Sequence, residues 1–472
     1  MRNQVLVMVS ALLLAACSVG PDYRRPEVAT SDQFVGVEGA QFTTAEVERE
    51  FWKSFNDQQL NEMIERALTA NHDIRIATAR LREARALRGE TKLDLAPTVQ
   101  ASADYTKAKA SDRQLGPLPN VDRSQDFYDS GFDAFWELDF FGRVRRGIEA
   151  ASAEVQSAEA SVYATQVSVT AEVARNYFEL RGAQQQLAVA QRNADNQAET
   201  VRITTARLDA GRGTQLDASR AQAQLSATLA TIPDLEAGVT RSMLRLGVLT
   251  GQSPEALMPQ LSTAKALPEL PVAHDIGTPE QLLRRRPDIR VAERDLAEAT
   301  AEIGVAVGDL FPRITFLGRW GFDAVKSSDL GNASTESYSF GPSISWAAFD
   351  LGRVRQRIKQ REAATDRALA KYEQTVLQAL EETDASLTAY SKAIVKQQHL
   401  QASASASLEA SKLARARYES GVADFLQVLD AERTALAAED QLARSETQTA
   451  TALLATYKAL GGGFRPLTTA AR

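Results

Sequence analysis

An internal duplication is the feature of this sequence that most limits what the chain can fold into. Near the start of each copy, residues 71–75 read NHDIR and residues 286–290 read RPDIR, a separation of 215 positions. Several later pairs are instead 210 positions apart: Trp136/Trp346, Gly142/Gly352, Arg207/Arg417, Gly211/Gly421, Leu216/Leu426, Ala221/Ala431 and Gly251/Gly461. The change of separation falls between Pro97 and Trp136, where a loop can absorb it. The chain is therefore expected to contain two copies of one structural unit.

The duplication also sets the predicted domain boundaries. Each repeat is predicted to begin with one helix that runs up to a proline. The first repeat covers 61–250, with a β-hairpin at 97–141 after that helix and then a long helical hairpin whose tip lies near residue 211. The second covers 281–461, with a β-hairpin at 312–350 and a tip near residue 421. The segment 251–280 contains five prolines, so it should form neither a long helix nor a central strand. Residues 17–60 are predicted to be an extended N-terminal segment, and 462–472 a C-terminal tail.

Alternating apolar and polar residues predict two strands in each repeat. The segments with this pattern are 99–105, 128–138, 314–322 and 338–348. One apolar face, one polar face, and Trp and Tyr near the ends are typical of transmembrane β-barrel strands. A soluble hairpin packed on one side would show the same alternation, so the pattern alone leaves both open. The polar loops 107–126 and 323–337 are expected to face the outside of the cell.

Two long helices are predicted after the strands of each repeat. No proline occurs from Gly142 to Ile232 or from Gly352 to Arg465. Apolar residues recur at heptad spacing, as in Val155, Val162 and Val169, which is typical of coiled-coil packing. Glycines at 211 and 421 are placed to reverse the chain between the helices.

The N-terminus reads as a lipoprotein signal. Arg2 precedes an apolar run from Val5 to Ala16, which is too short to span a bilayer. Cys17 is the only cysteine in the chain. It is expected to become the mature N-terminus and to carry a covalent lipid that anchors the protein, although a buried thiol is the alternative. Because Ser18 and not aspartate follows it, the outer membrane is favoured over the inner one.

Four strands per chain cannot close a membrane barrel, since the smallest such barrels have eight. Unpaired strand edges in lipid cost several kcal/mol per unsatisfied group, so identical copies are expected to share one barrel. Three copies would supply about twelve strands and two would supply about eight. Side chains would fill the interior of an eight-stranded barrel, whereas a wider barrel can enclose an open channel. The strand count alone still leaves both stoichiometries open.

The sequence gives no signal for catalysis. The three histidines show no metal-ligand spacing, and no glycine-rich phosphate-binding loop is present. The formal charge is −7, and it becomes −8 when Arg2 is removed with the signal, which disfavours nucleic acid as a partner. A non-enzymatic membrane protein without a metal or cofactor, apart from the lipid on Cys17, is therefore expected. A structural coiled-coil lipoprotein without a pore is the alternative.

Six segments of the chain match a known family when taken together: 16–23 (ACSVGPDY), 51–55 (FWKSF), 286–289 (RPDI), 310–312 (LFP), 349–353 (FDLGR) and 418–422 (YESGV). With these segments the chain resembles the TolC-like outer-membrane factors, in the lipoprotein branch of OprM and NodT type that works with RND efflux pumps. The resemblance implies an α+β membrane protein of the Gram-negative outer membrane. It would be a homotrimer with a 12-stranded barrel continuous with a 12-helix periplasmic α-barrel, and the termini and linker would form an equatorial domain.

The implied function is a passive exit duct that carries drugs or other small toxic compounds outward. The implied partners are a periplasmic adaptor protein and an inner-membrane RND pump, with outer-membrane lipid around the barrel. The same fold serving metal-ion or protein export is the alternative. Three copies of the chain would place three Asp430 carboxylates in a ring around the pore. Together with the negative charge of the chain, this ring predicts that the pore weakly prefers cations.

The resemblance also implies a periplasmic gate at Leu426, Asp430 and Arg433. Steps of four and three residues place the three on one helix face. Around a threefold axis they would give an apolar plug, an acidic ring and an ion pair to a neighbouring helix. Spacing alone favours a solvated helix end with a local Asp–Arg pair over a gate, and the resemblance reverses that preference.

The positions that match the family's adaptor-docking tips are Gly211, Gly421 and Val422. Each glycine can also be explained by the turn alone. Arg212 departs from the family pattern, in which an aliphatic residue commonly follows the first glycine.

Overall fold

The computed structural model describes residues 18–29, 31–35, 42–45, 47–111, 123–271 and 274–466. In chain order the strands and helices are β1 (Phe42–Thr43), α1 (Gln58–Ala70), α2 (His72–Leu93), β2 (Thr98–Lys109), β3 (Ser124–Leu138), α3 (Arg143–Asp209), α4 (Gln215–Leu249), α5 (Met258–Leu261), β4 (His274–Asp275), α6 (Pro279–Arg285), α7 (Pro287–Gly308), β5 (Arg313–Ala324), β6 (Glu336–Ser345), α8 (Leu351–Glu419) and α9 (Phe425–Ala459). Short 3₁₀ helices include Phe51–Phe55 and Pro254–Leu257.

The chain folds into two compact units, and each takes segments from both repeats. The first unit comprises Met1–Glu27, Arg80–Ala158 and Val291–Glu373, as far as these are described. The second comprises Val28–Ala79, Glu159–Arg290 and Gln374–Arg472, with the same qualification. The units divide the chain differently from the repeats because the two β-hairpins pair with each other.

The first unit contains one four-stranded antiparallel sheet in the order β2-β3-β5-β6. Its central pair joins the repeats, with Phe132 opposite Trp320 and Trp136 opposite Phe316. In both repeats a tryptophan indole bonds to the backbone just before the first strand of the hairpin. The indole nitrogen of Trp136 donates to the carbonyl oxygen of Leu95 at 2.9 Å, and that of Trp346 donates to Leu310 at 3.0 Å.

One face of the sheet is apolar and exposed, because successive side chains of a strand point to opposite faces. Phe132, Trp320 and Tyr338 lie in register on that face, and all three are exposed. Asp133 and Arg319 lie in register on the other face. Among the described residues, β2 and β6 pair with no further strand.

The helices that precede the hairpins are interrupted, whereas the sequence predicted one helix up to each proline. In the first repeat the break is at Asn71, whose side chain accepts a hydrogen bond from Asp73 N at 2.8 Å and donates to Leu249 O at 2.8 Å. In the second repeat it is at Arg286, between α6 and α7. The helix α4 also continues through Pro233 to Leu249. None of the helices in the described ranges is long and apolar enough to cross a membrane.

The core of the second unit is built around the aromatic segment 51–55. Phe51, Trp52 and Phe55 are buried, and the ring of Phe51 stacks on that of Tyr457 with centroids 4.8 Å apart. The proline-rich linker contributes Leu257, Leu261 and Ile276 to this core. Burial of apolar area contributes about 25 cal/mol per Å², so this cluster stabilises the second unit.

Candidate functional site

The two helical hairpins turn with the same backbone geometry. Gly211 and Gly421 have φ angles of 67° and 77°, in the left-handed region that favours glycine. The next residue in each turn reaches back across it: Arg212 N bonds to Arg207 O at 2.8 Å, and Val422 N bonds to Arg417 O at 2.9 Å. These are the bonds of the Schellman motif, which ends a helix by satisfying its last carbonyl groups.

Each returning helix begins with a capping side chain. The hydroxyl of Thr214 accepts a hydrogen bond from Asp217 N at 3.2 Å, and the carboxylate of Asp424 accepts one from Gln427 N at 3.0 Å. A cap satisfies one of the free N–H groups at the start of a helix, so α4 and α9 start immediately after the turns.

A small apolar cluster joins the two tips within the second unit. Its buried members are Ala221, Tyr418, Phe425, Val428 and Leu429. The guanidinium of Arg207 lies 4.0 Å from the centroid of the Tyr418 ring and donates to Tyr418 O at 2.9 Å. Cation–π and hydrogen-bond contacts therefore tie the end of α3 to the end of α8.

The predicted gate residues share one exposed face of α9. Leu426 is 54% exposed, and Asp430 and Arg433 are exposed as well. The opposite face carries the buried residues Phe425, Val428, Leu429, Glu432 and Ala435. The grouping expected from spacing is present in the helix, and the role of the three residues as a gate stays a prediction.

The local Asp–Arg pair that spacing also allowed is not formed. Within the described ranges, no ion pair is found for either Asp430 or Arg433. Both charged groups therefore remain available for contacts outside this chain.

A buried charge on α9 was missed by the sequence analysis. Glu432 is 9% exposed and accepts hydrogen bonds from Arg415 Nη2 at 2.6 Å and Thr200 Oγ1 at 3.2 Å. Arg415 also contacts Asn196 O at 3.3 Å. The network ties α9 to both α3 and α8 on the side opposite the gate residues. The available signal was a glutamate within the apolar stripe at 425, 428, 429, 432 and 435.

A second buried polar cluster lies where the linker meets the helices of the second repeat. His274 Nε2 is 2.7 Å from the hydroxyl of Tyr390, and Nδ1 is 3.2 Å from that of Tyr457. Burial lowers the pKa of His274 to about 4 and raises the pKa of both tyrosines to about 12. The imidazole is therefore neutral at pH 7. Among the described residues, no group of His, Cys, Asp and Glu side chains is arranged to hold a metal ion.

Cys17, the predicted lipidation site, lies outside the described residues, but the segment after it is firmly held in the first unit. Val19 N bonds to Phe141 O at 3.2 Å. The buried Arg146 donates to Val19 O at 3.0 Å and to Asp22 at 2.7 Å. A side chain on Gly20 would lie 2.5 Å from the Cα of Gly304, so only glycine fits there. The chain just after Cys17 is thus fixed at the junction between β3 and α3.

The repeated arginines at this junction are not equivalent. Arg143 forms a 2.6 Å ion pair with Glu137 at the end of β3 and is partly buried. Arg353 forms a longer, exposed pair with Asp350, at 3.3 Å. Only the first therefore ties a strand to a helix.

A four-stranded sheet with an exposed apolar face, combined with two long helical hairpins, is the architecture of an outer-membrane channel protomer. Residues 63–252 and 278–462 match the family described as outer membrane efflux protein, and the chain belongs to that family. Its members are channel proteins of the Gram-negative outer membrane that extend into the periplasm, and their fold is TolC-like.

Individual relatives are similar along nearly the whole chain. Outer membrane protein OprJ of Pseudomonas aeruginosa is 32% identical, with 98% of this chain and 96% of that protein covered. The cation efflux system protein CusC of Escherichia coli K12 is 28% identical, with 98% and 99% covered. The solved structure of the outer-membrane channel OprN is 43% identical and superimposes with a TM-score of 0.88, covering 95% of this chain and 99% of that one.

Proposed function

We propose that three copies of this chain form the outer-membrane exit duct of a tripartite RND-type efflux system. The duct passively conducts drugs or other small toxic compounds from a pump and adaptor to the cell exterior. The observation that carries the proposal is the four-stranded sheet, whose apolar face is exposed and whose edge strands β2 and β6 have no partner among the described residues.

Sharing of strands between copies follows from these edges. In lipid an open edge leaves N–H and C=O groups unsatisfied, and pairing β2 of one copy with β6 of the next removes both edges. Three copies supply about twelve strands in a closed ring, wide enough for a channel. The long helices of the copies would continue as a 12-helix periplasmic barrel.

The N-terminal segment indicates how the sheet is oriented in the membrane, with the end next to α3 facing the periplasm. Ser18 lies beside Gly142, at the end of the sheet where β3 passes into α3. A lipid on Cys17 would therefore enter the membrane next to that end of the sheet. β2 and β5 end, and β3 and β6 begin, at the other end of the sheet, and that end would face outside.

The gate is assigned to Leu426, Asp430 and Arg433. Their exposed face on α9 and the lack of a described ion-pair partner for Asp430 and Arg433 fit contacts between copies. Three copies of Asp430 would place an acidic ring at the entrance and give the pore a weak preference for cations. Docking of the adaptor protein is assigned to the tips at Gly211, Gly421 and Val422. These residues are exposed and lie at the ends of the two helical hairpins.

Single-channel recording in planar bilayers tests both the duct and the gate. The purified protein should give stepwise currents with a reversal potential that favours cations. Asp430→Ala with Arg433→Ala should raise the conductance severalfold and make cells leak antibiotics. Arg220→Ala, at the equivalent position of α4, is the matched control and should leave the conductance closer to the wild type. A purified folded monomer in lipid that conducts no current would contradict the duct.

Export of metal ions is a second candidate, because CusC carries the name of a cation efflux protein and matches the chain end to end. Deletion of the gene followed by growth on a panel of drugs, bile acids and metal salts separates the two. Sensitivity confined to metal salts would favour the second candidate.

A further inference from the structure

A cavity of about 450 Å³ lies on the second unit where the C-terminal segment crosses α3, α6 and α7. Four arginines line it: Arg49, Arg284, Arg285 and Arg290. None of the lining residues is acidic. In a chain with a formal charge of −7, this is a marked local reversal of charge.

Two arginines next to the cavity do pair with carboxylates, so positive charge without an acidic partner is not a general property of the region. Arg286 turns away from this cavity and pairs with Asp288 at 2.7 Å and Glu382 at 2.8 Å. Arg465 likewise turns to Glu50 and Glu65. Each of these two arginines is compensated by two carboxylates.

Arg49, Arg284 and Arg290 have fewer carboxylate partners than these two arginines. Arg284 pairs with Glu280 at 2.6 Å on the exposed surface, and Arg285 donates to Leu460 O from Nε at 2.7 Å. Arg49 and Arg290 form no ion pair with any acidic residue that the structure describes. The cavity therefore has a net positive charge with two guanidinium groups available to a ligand.

Aromatic rings and prolines form the rest of the cavity lining, apart from Gln281. Tyr163 and Phe464 face each other with ring centroids 5.2 Å apart, and the guanidinium of Arg49 lies 5.7 Å from the Phe464 ring. Pro287 and Pro466 complete the walls. The volume is in the range of sites for organic ligands and is much larger than an inorganic anion needs. Guanidinium groups bind carboxylates through paired hydrogen bonds, and aromatic walls pack against apolar side chains.

We infer that this cavity binds an acidic peptide segment of a periplasmic partner. Carboxylates of the peptide pair with Arg49 and Arg290, and an apolar side chain packs against the surface formed by the rings of Tyr163 and Phe464. The inference does not depend on the gate or on the cargo of the duct, since none of these residues belongs to either.

Fluorescence anisotropy on the purified full-length protein tests the site. The probe is a labelled short peptide of alternating glutamate and leucine, and the control peptide has glutamine in place of glutamate. Arg49→Gln with Arg290→Gln should weaken binding of the acidic peptide at least about tenfold, equal to about 1.4 kcal/mol. Arg241→Gln with Lys412→Gln removes two exposed charges elsewhere in the unit and should leave binding unchanged.

Four results would overturn the inference. If the variant Arg49→Gln with Arg290→Gln binds the acidic peptide as tightly as the wild type, the two arginines do not take part in binding. Equal binding of the glutamine peptide, or its full displacement by inorganic phosphate at the same concentration, removes the acidic peptide as the ligand. If the thiol of Arg290→Cys reacts with a charged maleimide only after unfolding, a second copy of the chain covers the cavity. The double variants at Arg49 and Arg290 and at Arg241 and Lys412 should conduct like the wild type. Loss of peptide binding is thereby distinguished from loss of the channel.

Discussion

The two helical hairpins share a turn but differ in how they are held. Both end in a glycine with positive φ and the same backbone hydrogen bonds. In α9, buried residues recur along the whole helix from Phe425 to Ala459, whereas the tip half of α4, before Val239, buries only Ala221 and Thr228. The second hairpin is thus packed against its own chain near the tip, and the first leaves its tip half open for contacts from another chain.

The polar contacts follow the same division. Glu432 is buried against Arg415 and Thr200, whereas the equivalent residue of the first repeat is the exposed Gln222. Tyr390 and Tyr457 bond to His274, whereas their equivalents are Leu180 and Gly247. Duplication kept the turn, and the side chains that fix the helices diverged.

The exposed faces of the returning helices diverged as well. Leu216 and Leu426 are equivalent and both exposed. Two turns into the helices, Arg220 stands where the second repeat has Asp430, and Ala223 stands where it has Arg433. A ring that alternates α4 and α9 would therefore alternate basic and acidic positions at one level.

The largest effect is expected from Glu432→Ala. Removing the carboxylate leaves the partly buried Arg415 without its partner, and breaking a buried pair costs about 3 kcal/mol. Chemical unfolding of the detergent-solubilised protein measures this as a loss of the free energy of unfolding. Gln222→Ala is the matched control in α4 and should change it by less than about 0.5 kcal/mol. Equal losses would mean that the two hairpins are held alike.

Acidification should weaken the second hairpin through His274. Its pKa is about 4 in the folded protein, below the usual 6.5, mainly because burial disfavours the charged ring. The stability from the neutral histidine is fully present above pH 6.5 and is lost as the pH falls toward 4. At pH 5 the loss should be about 2 kcal/mol.

His274→Gln keeps hydrogen-bonding groups between the two tyrosines but cannot titrate. The pH dependence between 6.5 and 4 should therefore be shallower in the variant than in the wild type. Parallel curves for the two proteins would show that His274 is not the group responsible.

These contacts show what the sequence could and could not predict. Alternation located the four strands and the repeat paired the tips at Gly211 and Gly421, because local patterns determine them. The repeat also paired Trp136 with Trp346, but it did not predict the hydrogen bonds of their indole groups. The partners of Glu432 and His274 lie 17 to 232 and 116 to 183 positions away along the chain. No periodicity encodes such contacts, since they depend on how the helices pack. The arginine-lined cavity was missed for the same reason, because its residues come from four separate segments.

A smaller and equal effect is expected at the two turn glycines. No atom lies within 4 Å of the position that a Cβ would take on Gly211 or Gly421, so substitution by alanine causes no clash. The left-handed backbone costs a non-glycine residue about 1–2 kcal/mol. Gly211→Ala and Gly421→Ala should each lower the free energy of unfolding by that amount. If only Gly421→Ala lowered the free energy of unfolding, the two turns would differ in their contribution to stability despite the same geometry.

The smallest effect is expected from the caps. Thr214→Ala and Asp424→Ala each remove the acceptor for one N–H group at the start of a returning helix, at a cost of about 1 kcal/mol. Because the tip half of α4 has few buried side chains, loss of its cap should fray the first turns. The same loss in α9 should be confined, because Phe425 and Val428 hold that helix in the apolar cluster. Hydrogen exchange resolved along both helices measures the difference. Faster exchange should extend beyond Ala221 in Thr214→Ala and stop before Glu432 in Asp424→Ala, and the reverse pattern would contradict the division between an open and a packed hairpin.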